Sequence, residues 1–543
     1  MIKLYRNLQY YGIIIFLSSL LGACGSNQAL ELGNEGYVEG FTGGVSADEP
    51  RAALEGQKIL SAGGNAVDAA IAVYFTLAVT LPSKASLGGG GICMVFDHKT
   101  RNVLALDFLN KVPANIPASA SRPSAVPGNP LGMFVLHNRF GSFQWGSLVA
   151  IGEKLARLGT TASRVLINDL KPVGAALMAD PGSRRVFLQT DGNLIFEGAL
   201  MRQIDLAAVL SNLKQSGPAG FYRGKLARRF VEGVKKIGGS LSLNDLMAFK
   251  PKWKKVLTKK FGHHEINFMP PPASGGLVSA QMFGMLKKND LFEDASTGEK
   301  YHILAETALR SFIDRERWLR DDFSVTSKPK ELITDSHVGN LISNYRADRH
   351  LSLNNFKSPS QKGEDNPSAT SFVVVDRDGS AVACSLTMNN DFGVGRMAKG
   401  TGILLATAPT SHAKGPTALI PIIVRNKHTN NLFFVGAASG GIAAPTALIN
   451  VISRAMIDNM KLGHAISAPR VHHSGMPDIT FYEPHLPEKI KLFLLQRGHK
   501  IAATPVLGVV NAAYCSGGLP RDPESCVIKS DLRGDGLATT ASE

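Results

Sequence analysis

Negative charge, cysteine and aromatic residues are all scarce in this chain. Of its 543 residues, 44 are acidic against 59 basic; five are cysteine, three are tryptophan, and aromatics make up 7%. No CxxC pair and no Cys/His spacing of the zinc-ligand type occurs, so the sequence pattern gives no ground for a metal, and no cofactor is expected. The net charge of +15 comes from scattered lysines and arginines. The basic run at 250–260 lacks the interleaved aromatics of a single-strand binder, which sets nucleic acid aside as a partner. A solvated basic face, suited to anionic lipid or envelope polymers, is the simpler reading. Beyond the first segment no apolar run is long enough to cross a bilayer, since residues 66–81 are interrupted by Asp68 and stopped by Pro82. The body is therefore expected to be soluble, and 44% hydrophobic residues supply a substantial core.

The first segment has a different character. Lys3 and Arg6 precede a short apolar run at 13–21, a pattern of export signals. It ends in Leu21-Gly22-Ala23-Cys24, which resembles the lipobox of bacterial lipoproteins, and polar Gly25-Ser26-Asn27 follow. Residues 1–23 are read as a signal peptide, Cys24 as the lipidated N-terminus, and 24–42 as a tether holding the protein to a membrane on the periplasmic side of a bacterial envelope. The plainer alternative is an ordinary secretory signal with a chance cysteine. Cys93 and Cys384 lie in apolar runs and are expected as buried thiols. Cys515 and Cys526 flank a Gly-Gly-Leu-Pro stretch, and an oxidising compartment would let them form a disulfide.

Residues 53–61 and 65–81 carry helical patterns, separated by Gly63-Gly64, with Asn65 as an N-cap. Four glycines at 88–91 lead into apparent strands at 92–96 and 103–108. From 143 to about 322 the pattern is mainly helical. Residues 358–367 are polar with little to bury and predict an exposed loop. Directly after it come Ser368-Ala369-Thr370-Ser371 and a hairpin, 372–376 and 381–388, with Asp378-Gly379 at its bend. A second hairpin is predicted over 419–425 and 431–437, and Gly440-Gly441 opens a helix over 445–460. Strands and helices in blocks argue for antiparallel sheet layered with helices.

A loop running straight into hydroxyl residues at a buried strand is where an N-terminal-nucleophile hydrolase cuts itself. The freed residue's α-amino group, with a pKa of about 7.7–8.0, then serves as its own base. Alone the pattern is weak, because any loop-to-strand junction can hold Ser and Thr. A set of motifs makes the resemblance specific. Leu60-Ser61-Ala62-Gly63-Gly64-Asn65-Ala66-Val67-Asp68-Ala69-Ala70 with Gly88 to Gly91, Gly220-Phe221-Tyr222-Arg223-Gly224, the stretch 269–276 (MPPPASGG), 374–382, 400–405 and Ala468-Pro469-Arg470-Val471-His472-His473 follow in order. On these the chain resembles the gamma-glutamyltransferase family. The resemblance implies an α+β fold, a four-layer αββα sandwich with two antiparallel sheets between helix layers. It also implies self-cleavage into a large part (43–369) and a small part (370–543) of one composite domain, and acyl transfer from a small-molecule or peptide amide.

The resemblance assigns roles residue by residue. Asn389 matches the asparagine that holds the substrate, Thr387 a hydroxyl supporting the nucleophile, and Gly440 and Gly441 the backbone donors of an oxyanion hole, each such donor worth ~2.7–4 kcal/mol of barrier. Other positions depart. Gap-free alignment puts Ala369 at the nucleophile, with Thr370 and Ser371 after it. A slip of one residue would make Thr370 the nucleophile and requires a compensating bulge; Ser368 is a weaker candidate. Leu109 replaces an arginine that grips the glutamyl carboxylate, and Ala406-Thr407-Ala408-Pro409 replaces an acidic pair. Thr417-Ala418 stands where the family has Ser-Ser. Two readings follow: an acyl-transfer enzyme using Thr370 on a substrate without a free glutamyl head group, or an uncleaved protein that keeps the fold for binding. His263-His264-Glu265 and His472-His473 are not expected to bind metal, because neighbours on a strand point to opposite faces.

Overall fold

The computed structural model describes residues 41–320, 322–353, 368–409 and 418–541. Cys24, the loop at 358–367 and Thr417 lie outside them. Among the described residues no helix is long and apolar enough to cross a membrane.

Two antiparallel sheets form the centre. The first has seven strands in the order Leu537–Ala541, Gly43–Ala47, Ala369–Asp376, Ala381–Thr387, Gly90–Asp97, Asn102–Phe108 and Lys252–Lys255. The second has six, in the order Cys526–Ser530, Val509–Leu519, Leu432–Ser439, Ile420–Asn426, His264–Phe268 and Leu257–Phe261. Alternation along Ala369–Asp376 shows how the layers arise: Phe372 and Val374 face a core shared with the helices Pro50–Ser61 and Ala66–Thr80, while Ala369, Val373 and Val375 face the core between the sheets. Helices Gly275–Lys287, Thr297–Trp318 and Ala444–Met456 cover the outer face of the second sheet. This is the four-layer αββα arrangement.

Local signals explain several elements. Asn65 caps the helix Ala66–Thr80 by accepting from Val67 and Asp68 N–H groups, and Asp68 reaches back to Asn65 N. Every residue of that helix is buried, as its all-round apolar pattern requires. Both predicted hairpins are present, as Ala369–Asp376 with Ala381–Thr387 and Ile420–Asn426 with Leu432–Ser439.

Two expectations are corrected. Within the stretch read as mainly helical, residues 252–268 form three strands. Lys252–Lys255 edges the first sheet and Leu257–Phe261 edges the second, so the lysines that obscured a strand pattern lie on edges, where charge blocks further pairing. Cys93 and Cys384 are buried but are not thiols: they stand directly opposite each other in the ladder and form a disulfide with an S–S distance of 1.95 Å. Their sequence separation of 291 hides the contact from any local reading. Cys515 and Cys526 are likewise opposed across two strands and joined at 1.97 Å.

Candidate active site

The site lies where the strand Ala369–Asp376 begins. In the ladder with Ala381–Thr387, Ala369 stands opposite Thr387, Thr370 opposite Leu386, and Ser371 opposite Ser385. Among the described residues this pairing has no register shift, and the ladder with Gly43–Ala47 is equally regular. The bulge that a one-residue slip requires is therefore not there. Ala369 keeps the strand position facing the other sheet, and Thr370 turns to the opposite side.

Thr387 lies beside the bond before Ala369. Its hydroxyl donates to the Ser368 carbonyl oxygen at 2.6 Å and accepts from Asn389 N–H at 2.9 Å. Asn389 holds a left-handed backbone at φ 63°, which asparagine tolerates better than most residues. Its side-chain Nδ2 donates to the Thr407 carbonyl at 2.8 Å. The asparagine is thus tied to the same 406–409 segment that lacks the expected acidic pair, and Ala406 and Ala408 there are buried.

Thr370 is fully buried, and its hydroxyl donates to Asp48 Oδ2 at 3.0 Å. The same oxygen accepts from Ser371 N–H at 2.9 Å and from Ser439 Oγ at 3.1 Å, while Asn511 Nδ2 donates to Asp48 Oδ1 at 2.6 Å. Burial pushes the Asp48 carboxyl above its usual range; the Ser371 N–H, Asn511, the Lys84 cation and the Thr370 hydroxyl pull it back. Sequence reasoning missed Asp48. It precedes Glu49 and Pro50, which cap and open a helix, and no local pattern marks it as facing a hydroxyl 322 positions away.

Ser439 leads straight into Gly440 and Gly441, both with positive φ, 116° and 62°. A Cβ on Gly440 would come within 2.6 Å of Gly508 Cα, so only glycine fits this turn. The turn opens onto the helix Ala444–Met456, whose N-terminal end carries the positive end of the helix dipole. The shared Asp48 carboxylate brings Ser439, next to Gly440, to Thr370.

On the inter-sheet side, Leu109 joins Ala369, Met269, Ala273 and Leu419 in one apolar cluster. A cation does lie nearby, though not on Leu109. Lys254 Nζ is 2.8 Å from Asp107 Oδ2 and donates to the Pro271 carbonyl at 2.6 Å, and Asp107 Oδ1 accepts from Leu109 N–H. His472 and His473 do part company: His472 Nδ1 meets Thr446 Oγ1 at 2.9 Å, whereas His473 faces Asp478.

Comparison with known proteins adds the following. A family model described as gamma-glutamyltranspeptidase matches residues 52–541. The glutathione hydrolase proenzyme of Escherichia coli K12 is 27% identical over 513 residues, covering 87% of this chain and 88% of the relative. That of Bacillus subtilis 168 is 28% identical over 511 residues, 86% of each chain. Among solved structures, a cephalosporin acylase from Bacillus halodurans aligns with a TM-score of 0.80 at 21% identity over 95% of this chain and 99% of its own, a likeness of fold. The Helicobacter pylori gamma-glutamyltranspeptidase gives 0.52 at 29% identity over 58% and 95%.

Proposed function

From the premise that this chain belongs to the gamma-glutamyltranspeptidase family of hydrolases and transferases, we propose that it is an amidohydrolase or acyltransferase whose nucleophile is Thr370. The carrying observation is the hydrogen bond from Thr370 Oγ1 to the buried Asp48. A carboxylate with a raised pKa is a competent base for that hydroxyl. In maturation, Asp48 takes the Thr370 proton as Oγ1 attacks the Ala369 carbonyl carbon. The peptide C–N bond breaks as Asp48 returns the proton to the departing nitrogen, which becomes the Thr370 α-amino group, and the ester left between Ala369 and Thr370 Oγ1 is hydrolysed by water to the Ala369 carboxylate and the free Thr370 hydroxyl. The α-amino group then serves as base for attack on a substrate amide, with Gly440 and Gly441 N–H groups receiving the oxyanion. Leu109, standing where the resemblance expects an arginine for the glutamyl carboxylate, supports a gamma-glutamyl-related acyl group without a free head-group carboxylate.

A second reading is favoured by the regular register at Ala369: an uncleaved, catalytically silent binding protein. Reducing, denaturing electrophoresis with intact mass of the purified protein separates the two. A fragment beginning at Thr370, absent in Thr370→Ala, is expected; a single uncut chain would overturn the enzyme reading and leave the second.

We further propose anchoring through Cys24 on the periplasmic side of the envelope. The lipobox-like Leu21-Gly22-Ala23-Cys24 supports it, as do two disulfides, bonds that persist in oxidising compartments. Labelling with a palmitate analogue should mark the wild type and not Cys24→Ser; equal labelling of both would refute the anchor.

A further inference from the structure

Away from the Thr370 region, four imidazoles and two carboxylates converge beneath the helix Thr297–Trp318. His302 and Glu306, one turn apart on that helix, are fully buried, and His499, which precedes the strand Ile501–Ala503, is 2% exposed. His302 Nδ1 lies 2.7 Å from His499 Nε2. Glu306 Oε1 is 3.9 Å from His499 Nε2 and 2.6 Å from His350 Nδ1. One donor atom from each of His302, Glu306 and His499 falls within 4.8 Å of the others.

We propose that His302, Glu306 and His499 bind a divalent transition-metal ion of the zinc type. Ligands 2.0–2.1 Å from a tetrahedral zinc ion sit about 3.3 Å from one another, and the 2.7 and 3.9 Å separations bracket that value. Nitrogen-rich donors with one carboxylate suit zinc rather than magnesium or calcium.

The surroundings are those that orient ligands. His302 Nε2 is 2.9 Å from the Arg346 carbonyl oxygen. A carbonyl only accepts, so Nε2 carries the proton and Nδ1 faces inward with its lone pair. His499 Nδ1 has Thr480 Oγ1 at 2.8 Å to take its proton, and His350 Nε2 has Asp478 Oδ1 at 2.9 Å. Each inward nitrogen thus has its outer nitrogen held by an oxygen, as in carboxylate–histidine–metal triads. Arg310 takes the other oxygen of Glu306, which fixes the carboxylate with Oε1 turned toward His499 and His350 and accepting from Leu351 N–H at 3.3 Å. His473 is not in the set, because its Nδ1 accepts from Gly475 N–H and its Nε2 therefore keeps the proton.

His302 and Glu306 are fully buried and His499 is 2% exposed, so the ion would sit in the interior as a structural one. It would add to the hydrogen bonds by which the helix Thr297–Trp318, the His499 segment and the chain at 346–350 already meet.

The test uses the untagged full-length protein, stripped with EDTA and titrated with zinc sulfate. One zinc bound per chain with a raised Tm is expected, both lost in His302→Gln and His499→Gln and retained in His472→Gln. Cobalt chloride in place of zinc should give the visible absorption of a tetrahedral ion in the wild type. That spectrum decides the matter should a variant fail to fold. A folded wild type with no bound zinc and no cobalt spectrum overturns the proposal and leaves a hydrogen-bonded core; zinc retained in folded His302→Gln and His499→Gln also overturns it.

Discussion

The hydroxyl of Thr387 donates to the carbonyl oxygen of Ser368 at 2.6 Å, directly opposite an alanine. The Thr387 hydroxyl is thus hydrogen-bonded to the carbonyl of the peptide bond before Ala369, and the residue after that bond carries no hydroxyl.

Ala369→Thr should therefore supply the missing hydroxyl. The site is 6% exposed, and two added heavy atoms should cost about 1–3 kcal/mol by overpacking. The expected product is a chain cut between 368 and 369, seen as a fragment with N-terminal threonine by mass spectrometry. An intact, folded Ala369→Thr chain would show that Thr387 alone does not prepare the bond.

Cys93 and Cys384 fall on opposite sides of any cut near 370. A cleaved molecule should run as one band without reductant and as two with it. Separation of the fragments under non-reducing conditions would exclude the disulfide. Loss of the bond in the double Cys→Ala variant should cost about 2–5 kcal/mol, read as a lowered denaturation midpoint.

Asp48→Asn places an NH2 group among the donors from Ser371, Thr370, Ser439 and Asn511. A buried donor facing donors costs about 1–3 kcal/mol, so the urea midpoint should fall, and any fragment beginning at Thr370 should disappear. Thr370 cleavage at the wild-type rate would remove Asp48 from the base role.

Burial raises the Asp376 carboxyl to about 6 from 3.8, despite its acceptance of Ala66 and Ser380 N–H groups. A folded pKa above the unfolded one means that the native state binds the proton more tightly. The contribution of Asp376 to stability is then greatest below pH 3.8 and declines as pH rises to about 6. The span corresponds to about 3 kcal/mol. The wild type should lose stability relative to Asp376→Asn as the pH rises across that window; a flat difference would contradict the shift.

Gly440→Ala puts a Cβ at φ 116° and 2.6 Å from Gly508 Cα. Strain of this kind costs of order 1–3 kcal/mol and should lower Tm, whereas an unchanged Tm would mean the turn adapts freely.

The sequence by itself determined what is local or carried by ordered motifs. The Asn65 cap, the two hairpins, the Gly440-Gly441 helix start and the αββα family architecture were all legible, because periodicity, capping chemistry and turn residues act over a few positions. Cys515 and Cys526, only 11 apart, were also within reach. Tertiary structure alone decided that Thr370 meets Asp48, that Cys93 is bonded to Cys384, and that His302 and Glu306 lie against His499, 197 residues from His302. Sheet order and strand register set these contacts, and a single position of register chooses which face each side chain takes. The same register fixed Ala369 opposite Thr387 and left the hydroxyl of Thr370 on the other side of the sheet.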